Sequence, residues 1–367
     1  MDRDTLHKVL AGAMKAQASD IHLKVSTPIL LRVNGVLQEV KSPPLTPEDT
    51  RTVVETIVGS ANPPVMTEEI REWDGSYSIN GVGRFRVNIY RQRNTFAVIL
   101  RVIPFEIPTL EGLGLPPVLK EIAHEERGLV LITGVTGSGK SSTLAGVIDF
   151  INETKRCHIL TIEDPIEFMH KNKRSSVSQR EIGLDTSDFN GALRAALRQD
   201  PDIILVGEMR DTETIDIALK AAETGHLVFS TVHTTDAAKT VGRLISVFPS
   251  GEQNMVRIRL AENLKATVSQ RLLPRKEGKG RVAAVEVLRM TKTIEEYIKD
   301  PLKTHEIKDV LEAGRDTYGT QSFDQHLMEL FGQGVIDFET ARSAATNPSD
   351  FERAVLLSSG GELPGGT

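Results

Sequence analysis

Cysteine is almost absent from this chain. Cys157 stands alone in 367 residues, so no disulfide can close within one chain and no four-cysteine zinc cluster can be built in it. A single thiol accords with a reducing compartment, and the expected location is the cytoplasm. No stretch approaches the roughly 18–20 uninterrupted apolar residues that a membrane span requires. Asp2, Arg3 and Asp4 open a mixed stretch to Lys15 where a secretory signal would place basic flanks and an apolar core. Work at a membrane is therefore expected from the cytoplasm and through a partner. Aromatic residues make up only 5% and the formal charge is −6, so stacking platforms are few and nothing favours a polyanion; no nucleic-acid partner is expected. What is present, 39% apolar and 26% charged residues, supports buried cores in a chain long enough for two domains.

Residues 1–103 read as a small α+β domain. Leu6, Val9, Leu10 and Ala13 recur at helical spacing. Ser19-Asp20-Ile21-His22-Leu23 starts a strand. Residues 30–33 and 36–40 flank Asn34-Gly35, whose tolerance of positive φ predicts a hairpin. Thr46-Pro47-Glu48 predicts a helix start, with threonine capping and proline in the first turn. Two more strands are expected over 84–90 and 96–103. Pro104, Pro108, Gly112, Gly114, Pro116 and Pro117 then crowd a linker, 104–117. Beyond it, Val/Ile/Leu runs at 129–133, 159–162, 203–206 and 227–232 alternate with helical stretches. Parallel strands covered on both faces have this pattern, so the fold class is α/β, with a core over 118–290. From about Thr291 the pattern is helical. It predicts C-terminal helices over 291–355 and a glycine-rich tail, 356–367, expected to be disordered.

Gly134-Val135-Thr136-Gly137-Ser138-Gly139-Lys140-Ser141 fits the phosphate-loop pattern G-x-x-x-x-G-K-[ST] at every fixed position, between a strand and a helix. Its glycines let successive N–H groups curl around a phosphate, and the helix that opens through Ser141 and Ser142 adds partial positive charge. Lys140 is expected on the β- and γ-phosphates of ATP, and the Ser141 hydroxyl on Mg²⁺. Asp202 leads an apolar strand that ends in Gly207-Glu208, where Glu208 can orient or deprotonate the attacking water and help hold the metal. Glu163-Asp164-Pro165-Ile166-Glu167 follows the strand ending at Ile162. Glu163 and Glu167 then lie on the ligand side of such a sheet, able to hold Mg²⁺ through water and to position the nucleophile. The plain alternatives are a strand-end acid in solvent and a charged turn. His226 and His233 bracket the strand 227–232. Roughly 20 Å of straight strand separates them, so one small ligand cannot touch both. One can sense a γ-phosphate while the other faces a neighbouring subunit, or either can be a hydrogen-bonded structural residue.

Taken in order, residues 134–141, 161–168, 198–211 and 222–226, followed by His233-Thr234-Thr235, resemble the Walker A, Asp box, Walker B and His box of the type II/type IV secretion ATPase superfamily. Ala18-Ser19-Asp20-Ile21-His22-Leu23, Gly83-Arg84-Phe85-Arg86-Val87-Asn88 and Gln321-Ser322-Phe323-Asp324-Gln325 extend the resemblance to PilT-type pilus retraction ATPases over nearly the whole chain. The resemblance implies a RecA-like P-loop core, a small N-terminal PAS-like domain and C-terminal helices. It implies a homohexamer with ATP between the N-terminal domain of one subunit and the core of the next. Arg84, Arg86 and Arg101 would complete that site in trans, and Arg127 would pack against the adenine. Strand alternation is consistent in placing Arg84 and Arg86 on one face. The implied partners are a pilus inner-membrane platform protein and, in an accessory role, another retraction ATPase. Assembly-type relatives carry a longer N-terminal extension and usually a zinc site, so the retraction subgroup, PilT or PilU, is favoured.

Two departures stand out. Val135 replaces the proline usual in the loop. Thr293-Ile294-Glu295 stands where relatives carry an Ala-Ile-Arg element tied to retraction, which predicts a changed docking surface. The rival readings are a RecA-type nucleic-acid motor and a nucleotide-binding subunit that modifies another retraction ATPase. The basic cluster Arg271, Arg275, Lys276, Lys279 and Arg281 reads as a solvated hairpin.

Overall fold

The computed structural model describes residues 1–59, 65–103 and 106–358, so Pro104 and the tail beyond Ser358 lie outside the described residues. Two compact units are present. The first joins Met1–Glu106 with Glu163–Met169 and Gln179–Asp188; the second holds the remainder.

The first unit contains α1 (Arg3–Lys15), β1 (Asp20–Lys24), β2 (Leu30–Val33), β3 (Val36–Glu39), α2 (Pro47–Val58), β4 (Glu72–Ile79), β5 (Gly83–Gln92) and β6 (Thr95–Ile103). Asn34 and Gly35, at φ 51° and 82°, make the tight turn between β2 and β3. Thr46 and Asp49 form a reciprocal capping box at the start of α2. The six strands are ordered β3-β2-β1-β6-β5-β4. Leu6 and Leu10 of α1 and Val53, Val54 and Ile57 of α2 share one core with Ile21, Leu23, Phe85, Val87, Ile89, Val98 and Leu100. Because the side-chain period of a strand is two, burial of Phe85 and Val87 turns Arg84 and Arg86 to the opposite face. Strand β4 goes unannounced in the sequence, since Glu72-Trp73-Asp74-Gly75-Ser76 carries no apolar run. It forms by pairing along β5, from Glu72 opposite Tyr90 to Ile79 opposite Gly83.

The rest of the chain supplies α3 (Val118–Ala123), β7 (Gly128–Thr133), α4 (Lys140–Thr154), β8 (His158–Glu163), β9 (Ser176–Glu181), α5 (Phe189–Ala196), β10 (Ile203–Val206), α6 (Thr212–Glu223), β11 (Leu227–Val232), α7 (Ala237–Ser246), α8 (Gln253–Asn263), β12 (Leu264–Pro274) and β13 (Arg281–Arg289). Its sheet runs β13-β12-β7-β11-β10-β8-β9. Strands β12, β7, β11, β10 and β8 are parallel in that order, and β13 returns antiparallel to β12. The four expected strands are fully buried over their apolar runs and pack with Val147, Ile148 and Ile151 of α4. Helices α9 (Lys292–Lys299), α10 (Ile307–Ala313), α11 (Arg315–Tyr318), α12 (Phe323–Gly332), α13 (Phe338–Ala344) and α14 (Pro348–Ser358) follow. Helix α14 carries the helical region past residue 355. Among the described residues no helix is long and apolar enough to cross a membrane.

Two expectations about charged surface need correction. Arg271 is not solvated: its guanidinium lies 4.0 Å from the centre of the Phe323 ring and donates to the Ala344 carbonyl, because β12 is a full strand against which α12 and α13 pack. Glu295 does not present a bare reversed charge. It sits between Lys292 at 2.7 Å and Lys299 at 2.8 Å on its own helix, so its charge is cancelled locally.

Candidate active site

The loop after β7 takes the shape its glycines permit. Gly134, Gly137 and Gly139 hold φ of 144°, 79° and 94°, which side-chain-bearing residues rarely adopt. A Cβ at Gly134 would stand 2.4 Å from Ser138 Oγ and 2.6 Å from the Gln270 carbonyl, so no other residue fits there. Val135, Thr136 and Gly137 form the exposed crown, while Ser138 and Lys140 are buried. Lys140, first residue of α4, donates from Nζ to the carbonyls of Gly134 at 2.8 Å and Val135 at 3.1 Å. Ser141 and Ser142 follow half-buried in the first turn. An α-helix leaves its first N–H groups unpaired, and here they open toward the loop.

Glu208 stands on the same edge of the sheet. Strand β11 lies between β7 and β10, with Val232 opposite Thr133 and Ser230 opposite Val206. The loop and Glu208 are thus two strand spacings apart, roughly 10 Å. Thr231 fixes the strand end: its hydroxyl donates to the Gly207 carbonyl at 2.7 Å, and its own carbonyl accepts the Met209 N–H at 3.1 Å. One Glu208 oxygen meets Arg210 at 2.7 Å and the other lies 3.5 Å from His233 Nε2.

His226 and Arg127 belong to the other edge. The His226 carbonyl accepts the Gly128 N–H at 3.0 Å, and its Nδ1 lies 3.0 Å from the Ala221 carbonyl and 3.2 Å from Thr224 Oγ1. It closes the turn after α6. The straight β11 separates it from Glu208 as its length requires. Arg127 precedes β7, roughly 20 Å of strand from the phosphate loop, in a cleft with Glu121, His124, Glu125, Glu126 and Lys265. Strand direction thus puts Arg127 at the opposite end of β7 from the phosphate loop.

In the first unit, Glu163 ends β8 and its Oε1 accepts from Gln179 Nε2 at 3.1 Å; Glu167 is exposed. Arg86 lies directly opposite Arg101 across β5 and β6. Arg101 Nε donates to Asp20 Oδ1 at 2.9 Å, yet its side chain remains 68% exposed. Burial resists ionisation of Asp20, but hydrogen bonds from Ser19 and Arg101 overcome it and hold the carboxyl below its usual range. Arg84 shares the face but is tied to Glu181.

A family model for type II/IV secretion system proteins matches residues 3–335. The chain belongs to this family. It is similar to the type IV pilus retraction ATPase PilT of Pseudomonas aeruginosa, at 46% identity over 94% of this chain and 99% of that protein. It is 41% identical to the type IV pilus ATPase PilU of the same organism, over 96% of this chain and 91% of that one. The crystal structure of the pilus retraction motor PilT with bound ADP, 44% identical, matches with a TM-score of 0.85 over 94% of this chain and 98% of that chain. The core of this chain is accordingly an ATPase core of the family.

Two residues near the loop gave no sequence signal because they sit on β12 and β13, far away in the chain. Gln270, 2% exposed, donates to Thr143 Oγ1 at 2.9 Å and backs Gly134 with its carbonyl. Glu286 Oε1 accepts the Ala237 N–H at 2.7 Å and so anchors the start of α7, three residues beyond His233-Thr234. Burial, foremost, with the nearby Asp236 charge, pushes its carboxyl up to about 7 against that hydrogen bond and the charges of Arg271 and Lys308.

Proposed function

We propose that this chain is a hexameric motor that hydrolyses ATP to power type IV pilus retraction. The observation that carries the reading is the phosphate loop and Glu208 on one sheet edge, with one strand between them and His233 against the carboxylate. A triphosphate cradled by the loop N–H groups and Lys140 directs its γ-phosphate along that edge. Glu208 orients the water for in-line attack and accepts its proton, and His233 reports the γ-phosphate to Glu208. Ser141 and Glu208 offer the hydroxyl and carboxylate oxygens that suit Mg²⁺. Among the described residues no three His, Cys, Asp or Glu converge as a cage, and a phosphate-bound Mg²⁺ needs none. When bound, that ion neutralises charge on the transferring phosphoryl group. Arg86 and Arg101 are adjacent cations on an exposed face; Asp20 offsets the charge of Arg101 but leaves that of Arg86, so a further anion against the pair is stabilised. In a ring they meet the neighbour's γ-phosphate. Docking to a pilus platform protein places the ring at the cytoplasmic face of the inner membrane.

The reading is tested by producing the chain in a strain that lacks its own retraction ATPase. Restored twitching, lost again in Glu208→Gln, supports it. The similarity to PilU keeps one second reading, an accessory subunit that modulates another retraction ATPase. ATP turnover by the pure chain with no restored twitching, unless a PilT is also present, would favour that second reading.

A further inference from the structure

Arg84 differs from Arg86 although two residues separate them on one strand. Its Nη2 pairs with Glu181 Oε2 and donates to Ser76 Oγ at 2.8 Å, while Nη1 donates to Ser78 Oγ at 3.1 Å. Arg86 is exposed and its side chain makes no hydrogen bond or ion pair among the described residues.

Glu181 is the centre of this arrangement. Its side chain is 2% exposed. Oε1 accepts from Ser76 Oγ at 2.5 Å, and Oε2 also accepts the backbone N–H of Ile166 at 2.9 Å. Ile166 belongs to the acidic turn that carries Glu163 and Glu167. The same strand end grips that turn twice more: Ile182 N–H donates to the Glu163 carbonyl at 2.9 Å, and Gln179 Nε2 donates to the Phe168 carbonyl at 2.9 Å. All of these residues lie in the first unit. A buried carboxylate is stable only with a counter-charge and filled lone pairs. Arg84 supplies the charge, and the filled carboxylate in turn holds the acidic turn by its backbone.

We infer that Arg84 is a positioning residue that acts through Glu181 on the acidic turn of its own subunit, and is not lent to the neighbour's nucleotide. The inference rests on the shared-site reading above for its sharpest test. Mixed rings, with composition confirmed by native mass spectrometry, separate the two arginines. Arg86→Ala combined with Glu208→Gln recovers turnover, since some interfaces then join an intact core to an intact Arg86. Arg84→Ala combined with Glu208→Gln recovers none, because no subunit keeps both Glu208 and a clamped acidic turn. Recovery with Arg84→Ala overturns the inference. Absence of recovery with both pairs overturns the shared site instead, and the decision passes to a cycle within one chain.

In that cycle Arg84→Met and Glu181→Gln, confirmed folded by thermal melting, each lower kcat about tenfold to a hundredfold. KM and the affinity for a fluorescent ADP analogue stay within about threefold. The double variant is no slower than the slower single variant, because both changes remove one linkage. Multiplicative losses, or a loss carried by KM, overturn the inference. Arg84→Lys keeps the charge without the fork and recovers part of kcat. It also carries the cycle if Arg84→Met does not fold, and a Lys variant as slow as Arg84→Met counts against the inference.

Discussion

The two edges of the parallel sheet carry similar residue types put to opposite uses. At the C-terminal edge, glycines hold positive φ, Ser138 Oγ is buried without a hydrogen-bond partner among the described residues, and Glu208 is reached by His233 and Arg210. At the N-terminal edge the polar groups finish turns. His226 closes on Ala221 and Thr224, Lys155 Nζ donates to the Glu125 carbonyl at 3.0 Å, and Asp202 accepts the His158 N–H at 2.8 Å. Strand direction makes the difference: loops leaving C-terminal strand ends surround ligands, and those entering at N-terminal ends stabilise the fold. His226 and His233 belong to one motif by sequence and to different jobs by position.

The contrast can be broken most directly at Glu208. Glu208→Gln is expected to lower kcat by about 10²–10⁴ while ADP-analogue affinity is retained; unchanged turnover would remove the C-terminal edge as the chemical site. Glu286→Gln sharpens the contrast through stability. The native carboxyl titrates near 7 and a free glutamate near 4.5. The stabilising contribution of the neutral form is therefore present below pH 4.5 and lost as pH rises through 7. The glutamine variant, which keeps the acceptor for Ala237, should gain up to about 3 kcal/mol over the native chain at pH 8 and little at pH 4.5. Urea melts at both pH values measure this, and a pH-independent gap would contradict burial of the charge. His233→Ala is expected to slow turnover about tenfold to a hundredfold, with the loss confined to kcat. Smallest is His226→Ala, worth about 1 kcal/mol of stability and no more than about a twofold change in turnover. Arg127→Ala should leave ADP-analogue affinity unchanged.

The residues that were legible in advance are those whose chemistry is local. The phosphate loop needs glycine, lysine and serine at fixed spacing, and the strands of 129–133, 159–162, 203–206 and 227–232 are buried on both faces and so read as apolar runs. Strand β9, Ser176–Glu181, is half-exposed and polar, so neither it nor Glu181 could be seen. Alternation correctly put Arg84 and Arg86 on one face but could not separate them, since the partner that does so lies 97 residues away. Arg127 lies at the end of β7 away from the phosphate loop, because nearness along the chain to a core strand says nothing of which strand end a residue joins. Glu295 shows the same limit: a reversed charge read from sequence is neutralised by lysines one turn to either side. Glu295→Arg would set three cations along one helix stripe and should weaken α9 rather than restore a docking surface.

The outer side of β13 has a consequence of another kind. Val287 exchanges both backbone hydrogen bonds with Gln321, at 2.9 and 3.0 Å; Gln321 Nε2 donates to the Val285 carbonyl at 2.9 Å, and Val285 N–H donates to His326 Nδ1 at 2.9 Å. The sheet would otherwise end in a row of unmet donors and acceptors, the template on which strands of separate molecules stack. Residues 321–326 seal that row, so a chain cut before Gly319 should clump through its open strand edge rather than survive as a soluble catalytic core. The C-terminal helices thus guard the colloidal behaviour of the motor, apart from whatever they dock.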